Sequence, residues 1–380
     1  MNYYIEKYTG VRIELSALPI QNGAADFHVM AHADTSLQRF SEQVNALRSA
    51  FLQLFRDKLP EEATVVFARC FLSDAANQQK QAQESFSGFL GCTVSYVQQP
   101  PLNGGKIAFW LHLQTDVTRH DGDGWHLFER NGFTHCFTSA SGTGEDSRTQ
   151  TRNLLEEYER QLNIRDCRMA DNCLRTWLFT RDIDTDYAGM ASARKEHFAR
   201  NGLTRQTHYI ASTGIEGRDA DASVKVKMDT YWIRGLEEEQ VQFLYAKDRM
   251  SPTHQYGITF ERGVSIDFGD RRNVHISGTA SIDRNGNVLY VNDVRQQTLR
   301  MWENVEALLH EADCGFGDLM QVIVYLRDFA DYATVKPMFD KKFPETPVMM
   351  VLAPICRTQW LIEMECIAAK PVQHQKFRNY

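Results

Sequence analysis

The sequence has little of what would assign a function at a glance. Its eight cysteines, at 70, 92, 136, 167, 173, 314, 356 and 366, include no CxxC pair, and most sit inside apolar stretches such as "FARCFL". That pattern suits reduced, buried thiols rather than a disulfide framework or a zinc site, and no metal is expected. Long hydrophobic runs are missing too. No run of about 18 apolar residues occurs, and the start "MNYYIEKYTG" has no basic segment ahead of an apolar one, which predicts a cytoplasmic protein with no membrane partner. Positive charge is not in excess: 49 acidic against 42 basic side chains leave a formal charge of −7 over 380 residues. Nucleic-acid binding, which needs a concentrated basic surface, is therefore disfavoured, and an anionic substrate has to be held by a few local arginines. "GTGED" lacks the Lys and Ser/Thr of a phosphate loop, so no nucleotide-binding class is offered.

What the chain does have is repetition. The segment "QTRNLLEEYERQLNIRDC" from Gln150 runs beside "QTLRMWENVEALLHEADC" from Gln297 at equal length, and "RD" followed by "DY" recurs at Arg181-Asp182 and Arg327-Asp328. Each copy follows a short Ser/Gly/Thr strand, "HCFTSASG" from His135 and "HISGTASI" from His275. In the later copy Leu299, Trp302, Val305, Leu308 and Leu309 recur at helical spacing. After them "QVIVYLRD" reads as a buried strand, "ATVKPMFDKKF" as a second helix, and "PVMMVLAP" and "WLIEMECIAA" as closing strands. A more decayed copy is legible at the front, with helix "QVNALRSAFLQLF", strand "VVFARCFLSDAANQ" and closing strand "GKIAFWLHLQ". The reading is α+β: mixed sheets with helices on one face, in units 1–133, 134–255 and 256–380, the alternative being an unrelated N-terminal domain ahead of a tandem pair.

These motifs carry a resemblance. "GTASI", "VIVYLRDFADYATV" and "LIEMECIA" resemble the RidA/YjgF superfamily, whose small proteins form trimers with clefts between subunits. "RTWLFTRDIDTDY", "THYIASTGIEG" and "ICRTQWLIEME" are similar to the chorismatases, in which three units in one chain imitate that trimer. The resemblance implies an intrachain pseudo-trimer, a monomer, and a cofactor-free enzyme acting on a small dianionic substrate, chorismate. It departs from the imine deaminases of the superfamily. Their carboxylate-binding arginine, just after the proline that opens the penultimate strand, is matched here by Met349, which has no guanidinium fork.

Within "WLIEME" the resemblance makes Glu363 the catalytic acid. An enolpyruvyl ether becomes hydrolysable once its methylene carbon is protonated, so one positioned carboxylic acid suffices. Apolar Leu361 and Ile367 are expected to desolvate Glu363 and raise its pKa; the charge of Glu365 either acts in the same sense or its side chain simply reaches solvent. Arg357, an even offset before Glu363, is expected on the same strand face. Arg148 and Arg327 are the other candidate carboxylate ligands; Arg295 occupies the place equivalent to Arg148, and Arg181 that of Arg327. Tyr209, Ser212, Thr213 and Gly214 of "YIASTGIEG", with Gly278 and Ala280 of "SGTASI", are expected to line the substrate cleft. Cys356, seven residues before the glutamate, matches the branch of chorismatases that makes a hydroxybenzoate, which implies pyruvate and 3-hydroxybenzoate as products. Two rival readings stand beside this one: a RidA-like imine or enamine deaminase, and a non-catalytic metabolite-binding pseudo-trimer.

Overall fold

A computed structural model describes residues 1–19, 25–122, 124–253 and 257–380. The first unit runs β1 (Asn2–Tyr8), β2 (Val11–Pro19), β3 (Ala25–Ala33), α1 (Phe40–Asp57), β4 (Thr64–Leu72), α2 (Ala75–Leu90), β5 (Thr93–Gln98) and β6 (Ile107–Gln114). The second runs β7 (Thr118–Gly122), β8 (Trp125–Arg130), β9 (Phe133–Ser141), α3 (Ser147–Asn163), the short α4 (Met169–Asn172), β10 (Cys173–Thr180), α5 (Ile183–Arg200), β11 (Ala211–Glu216) and β12 (Val226–Arg234). The third runs β13 (Val241–Leu244), β14 (Gly263–Asp267), β15 (Arg271–Ala280), α6 (Val294–Glu311), β16 (Leu319–Leu326), α7 (Tyr332–Lys342), β17 (Val348–Leu352) and β18 (Ile362–Pro371).

Each unit makes a six-stranded sheet of one design, in the orders β1-β2-β3-β6-β4-β5, β7-β8-β9-β12-β10-β11 and β13-β14-β15-β18-β16-β17. The expected α+β pseudo-trimer is therefore what the chain forms. Sheet membership divides the chain after β6 and after β12. The expected 133/134 boundary falls at the start of β9, whereas β7 and β8 already pair into the second sheet. The boundary at 255/256 lies outside the described residues, and β13 joins the third sheet from Val241.

Local chemistry explains the elements. Both "RD" aspartates start the segment that follows them: Asp182 accepts from the amides of Asp184 and Thr185 at the head of α5, and Asp328 from that of Ala330. In α6 the buried stripe is Met301, Trp302, Val305, Leu308 and Leu309, capped by Asp293, whereas Leu299, expected in that stripe, is exposed. The helices cover one face of each sheet, and the opposite faces meet along the pseudo-threefold axis. There Phe67 of the first unit stacks on Phe137 of the second at 4.6 Å, and Tyr231 of the second lies 5.5 Å from His275 of the third. Tyr380 closes one end: its hydroxyl donates to Gln114 at 2.9 Å and lies 2.9 Å from His135 Nε2, while its ring packs 4.6 Å from Phe268.

Candidate active site

The site forms where the second unit meets the third. The amide of Ser212 on β11 donates to the Ser277 hydroxyl on β15 at 2.9 Å, the Gly278 amide donates to the Thr213 hydroxyl at 2.8 Å, and the Glu261 amide to the Ile210 carbonyl at 3.0 Å. Above this seam lies a cavity of about 220 Å³ lined by Tyr187 and Arg194 of α5, Ser212 and Gly214 of β11, and, from the third unit, Ile258, Phe260, Arg262, Gly278, Ala280, Ile282, Cys356, Arg357, Trp360 and Glu363.

Glu363 enters this cavity because β15 is irregular. Its pairing with β18 shifts between Ile276 and Thr279, where the corresponding strand pairs β9–β12 and β3–β6 keep an unbroken register. The bulge carries Ser277 and Gly278. A methyl group on Gly278 would collide with Glu363 Oε1 and stand 2.9 Å from its Cδ, so the carboxyl rests directly on bare glycine backbone. Glu363 is 5% exposed. Burial, then the charge of Glu365, push its carboxyl up to about 8 against the pull of Arg175 and Arg262. A carboxyl in this state keeps its proton near neutrality and can deliver it to whatever occupies the cavity.

The cations are close by. Arg194 and Arg262 are buried; Arg194 Nη1 donates to the Ser212 hydroxyl at 3.4 Å and Arg262 to the Ser251 carbonyl at 2.7 Å. Arg357 donates to the Gly286 carbonyl at 2.8 Å and lies 4.8 Å over the Trp360 ring. Its place in the cavity does not come from sharing a strand with Glu363, since β18 begins only at Ile362 and Trp360 closes a turn onto Arg357. Cys356 stands beside Glu363, and burial pushes its thiol up to about 12, so at neutral pH it is a protonated, shape-defining wall rather than a nucleophile.

Of the expected residues, Glu363, Cys356, Arg357, Ser212, Gly214, Gly278 and Ala280 line the cavity together. Thr213 lies just beneath it, donating to Glu365 at 2.5 Å. Tyr209 precedes β11 with its ring stacked 6.4 Å from Phe198. Arg327 is spent on Asp184 at 3.0 Å, a tie between the third unit and the second. Arg148 is exposed and paired with Glu196 at 2.7 Å, and Arg295 is exposed as well. Glu363 is desolvated as expected, and the apolar side chains that line its cavity are Ile258, Phe260, Ile282 and Trp360, with neither Leu361 nor Ile367 among them. Sequence reasoning missed Tyr187, Arg194 and Arg262. For Arg194 a signal exists: it falls on the inward face of α5 with Ile183, Met190 and Ala193, and a cation in an apolar helix stripe asks for a partner. Among the described residues no group of three or more His, Cys, Asp or Glu is placed to hold a metal ion, and no helix is long and apolar enough to cross a membrane.

Known proteins share sequence with the third unit and fold with most of the chain. Residues 263–370 match the family described as endoribonuclease L-PSP. A RutC family protein of Pyrococcus abyssi is 33% identical over 99 residues, 26% of this chain and 78% of the relative. The 3-aminoacrylate deaminase RutC of Acinetobacter baylyi is 32% identical over 72 residues, 19% of this chain and 57% of the relative. Among solved structures, a chorismatase superposes with a TM-score of 0.61 at 17% identity, over 80% of this chain and 93% of that one, which extends the likeness in fold to all but a fifth of the chain. With its third unit carrying the sequence match and its sheets repeating one design three times, the chain belongs to the RutC family of the RidA/YjgF superfamily, in a three-unit form that shares the chorismatase fold.

Proposed function

We propose that this protein is a cofactor-free chorismatase that works as a monomer in the cytoplasm and converts chorismate to pyruvate and 3-hydroxybenzoate. The observation that carries the reading is Glu363: a carboxyl held protonated near neutrality, facing a cavity that also receives Arg194, Arg262 and Arg357. The arginines take the two substrate carboxylates, by forked hydrogen bonds where the geometry allows. Glu363 passes its proton to the methylene carbon of the enolpyruvyl ether. The oxocarbenium ion so formed is captured by water or a ring hydroxyl, and collapse of the adduct breaks the ether bond and releases pyruvate. Aromatisation to the hydroxybenzoate also breaks the neighbouring ring C–O bond and one ring C–H bond, the oxygen leaving as water on the first route and within pyruvate on the second. The proton set free in the capture returns to the Glu363 carboxylate. Cys356, a neutral thiol, shapes the ring side of the pocket.

Incubating the purified chain with chorismate and measuring pyruvate, with chromatography of the aromatic product, tests the reading. Glu363→Gln is expected to lower kcat by about 10²- to 10⁴-fold, the usual worth of a positioned general acid. Wild-type rates in that variant, or no pyruvate from the native protein, reject it. Deamination of an imine or enamine is the second reading, favoured by the name of the Acinetobacter baylyi relative. Met349, at the position of the deaminase arginine, is fully buried in β17, so that reading needs one of the other arginines, and ammonia release from an amino-acid-derived imine is its signature.

A further inference from the structure

Glu365 stands two residues beyond Glu363 on β18 and does not line the cavity, yet it is bonded from several sides. Arg175 Nη2 donates to its Oε2 at 2.9 Å, Trp177 Nε1 to its Oε1 at 2.8 Å and the Thr213 hydroxyl to its Oε2 at 2.5 Å, while Arg69 Nη1 of the first unit lies 3.6 Å from Oε1. Two guanidinium partners and two neutral donors make the bonding pattern of a carboxylate anion. The Thr213 proton is committed to Glu365, so the Thr213 oxygen is turned to accept, and it receives the Gly278 amide at 2.8 Å. Gly278 is the residue on which the Glu363 carboxyl lies.

Resting on the reading of Glu363 as the acid, we propose that Glu365 is its positioning residue: through Thr213 it pins the Gly278 backbone beneath the Glu363 carboxyl. Its negative charge acts on that carboxyl in the same sense as burial. The groups facing Glu363 from the other elements are Arg175 on β10, Arg262 ahead of β14, Tyr325 opposite it on β16, and Cys356 with Arg194 and Arg357 around the cavity. The nearby arginines oppose protonation. Burial and Glu365 together outweigh them, which is why Glu365 matters to a site that already gathers cations.

The test uses Glu365→Gln, Thr213→Val and Thr213→Ser in the full chain. One readout needs no turnover: the pH at which the infrared carbonyl band of protonated Glu363 disappears, the band being assigned by its loss in Glu363→Gln. Its midpoint, expected at about 8 in the native protein, should fall by about one unit or more in Glu365→Gln. It should also fall in Thr213→Val, where a loosened Gly278 lets water reach the carboxyl. In pyruvate release, Thr213→Val should lower kcat at least about tenfold with KM little changed, and Thr213→Ser should restore it. An unchanged midpoint in the folded variants overturns the proposal. Should Glu365→Gln fail to fold, because Arg175 is left buried without its anion, Thr213→Val alone decides. If the native chain releases no pyruvate, the chorismatase reading fails while the infrared midpoints still decide the positioning claim.

Discussion

Replacing the proposed acid should make the protein more stable while it makes it inactive. The Glu363 carboxyl titrates at about 8 in the fold against an ordinary 4.5. Because the folded value is raised, the stability that goes with the protonated side chain is fully present below pH 4.5 and is lost as pH rises through 8. A neutral glutamine does not suffer this loss. The gap of 3.5, from 8 − 4.5, corresponds at 1.36 kcal/mol per unit to a ceiling of about 5 kcal/mol above pH 8. The gain is about 3 kcal/mol at pH 7 and under about 1 kcal/mol at pH 5. For a chain of 380 residues the unfolding entropy at about 2.1 cal/mol/K per residue turns the difference between pH 5 and pH 8 into about 4 °C. Thermal melts of native protein and Glu363→Gln at the two pH values measure it, and the variant should melt above the native chain at pH 8 and nearly with it at pH 5. Equal offsets at both pH values would mean that the carboxyl is ionised and solvated in the fold, and the proton donor would be lost from the mechanism.

Three further outcomes follow from the packing. Gly278→Ala places a methyl group against the Glu363 carboxyl, so pyruvate release should drop by about 10²-fold or more, with the circular dichroism spectrum kept. Tyr380→Ala removes a buried ring that all three units contact, through Gln114, His135 and Phe268; it should cost about 3 to 5 kcal/mol, read as a lowered denaturation midpoint. Arg357→Ala, at the cavity wall, should raise KM about tenfold or more, whereas Arg148→Ala, exposed and paired with Glu196 away from the cavity, should leave kcat and KM unchanged.

Much of the fold and part of the site are legible in the sequence. The repeat set the element order, because hydrophobic periodicity and the recurring "RD" survive duplication, and "WLIEME" with "SGTASI" named both sides of the Glu363 contact. What one chain's sequence does not display is which unit's residues face which. Arg194 on α5 and Glu363 on β18 meet across two units, and neither spacing nor period reports such a contact. The β15 bulge was equally hidden: "HISGTASI" reads as a plain strand, and only its pairing with β18 reveals the shift at Ser277 and Gly278. Arg148 stands near a helix start, as its place in the sequence predicts, but its exposed guanidinium there pairs with Glu196 on the neighbouring α5.

The three units also explain why a repeated scaffold carries one acid. Glu363 pairs with Ala280 and Tyr325; the register puts Lys227 in its place in the second unit, between Ser141 and Phe179, and Ala108 in the first, between His32 and Phe71. Lys227 is tied to Asp219 at 2.5 Å and to Ser141 at 3.0 Å, so that position holds a closed ion pair. The buried anions show the same decay: Glu365 takes Arg175 from the second unit and Asp229 takes Arg69 from the first, while the equivalent position in the first unit is Trp110. A carboxyl kept protonated by burial subtracts up to about 5 kcal/mol at alkaline pH, and a domain is stable by only about 5 to 15 kcal/mol. Three copies of the acid would consume that margin, whereas one acid, with neutral or ion-paired residues at the other two positions, leaves the shared core intact.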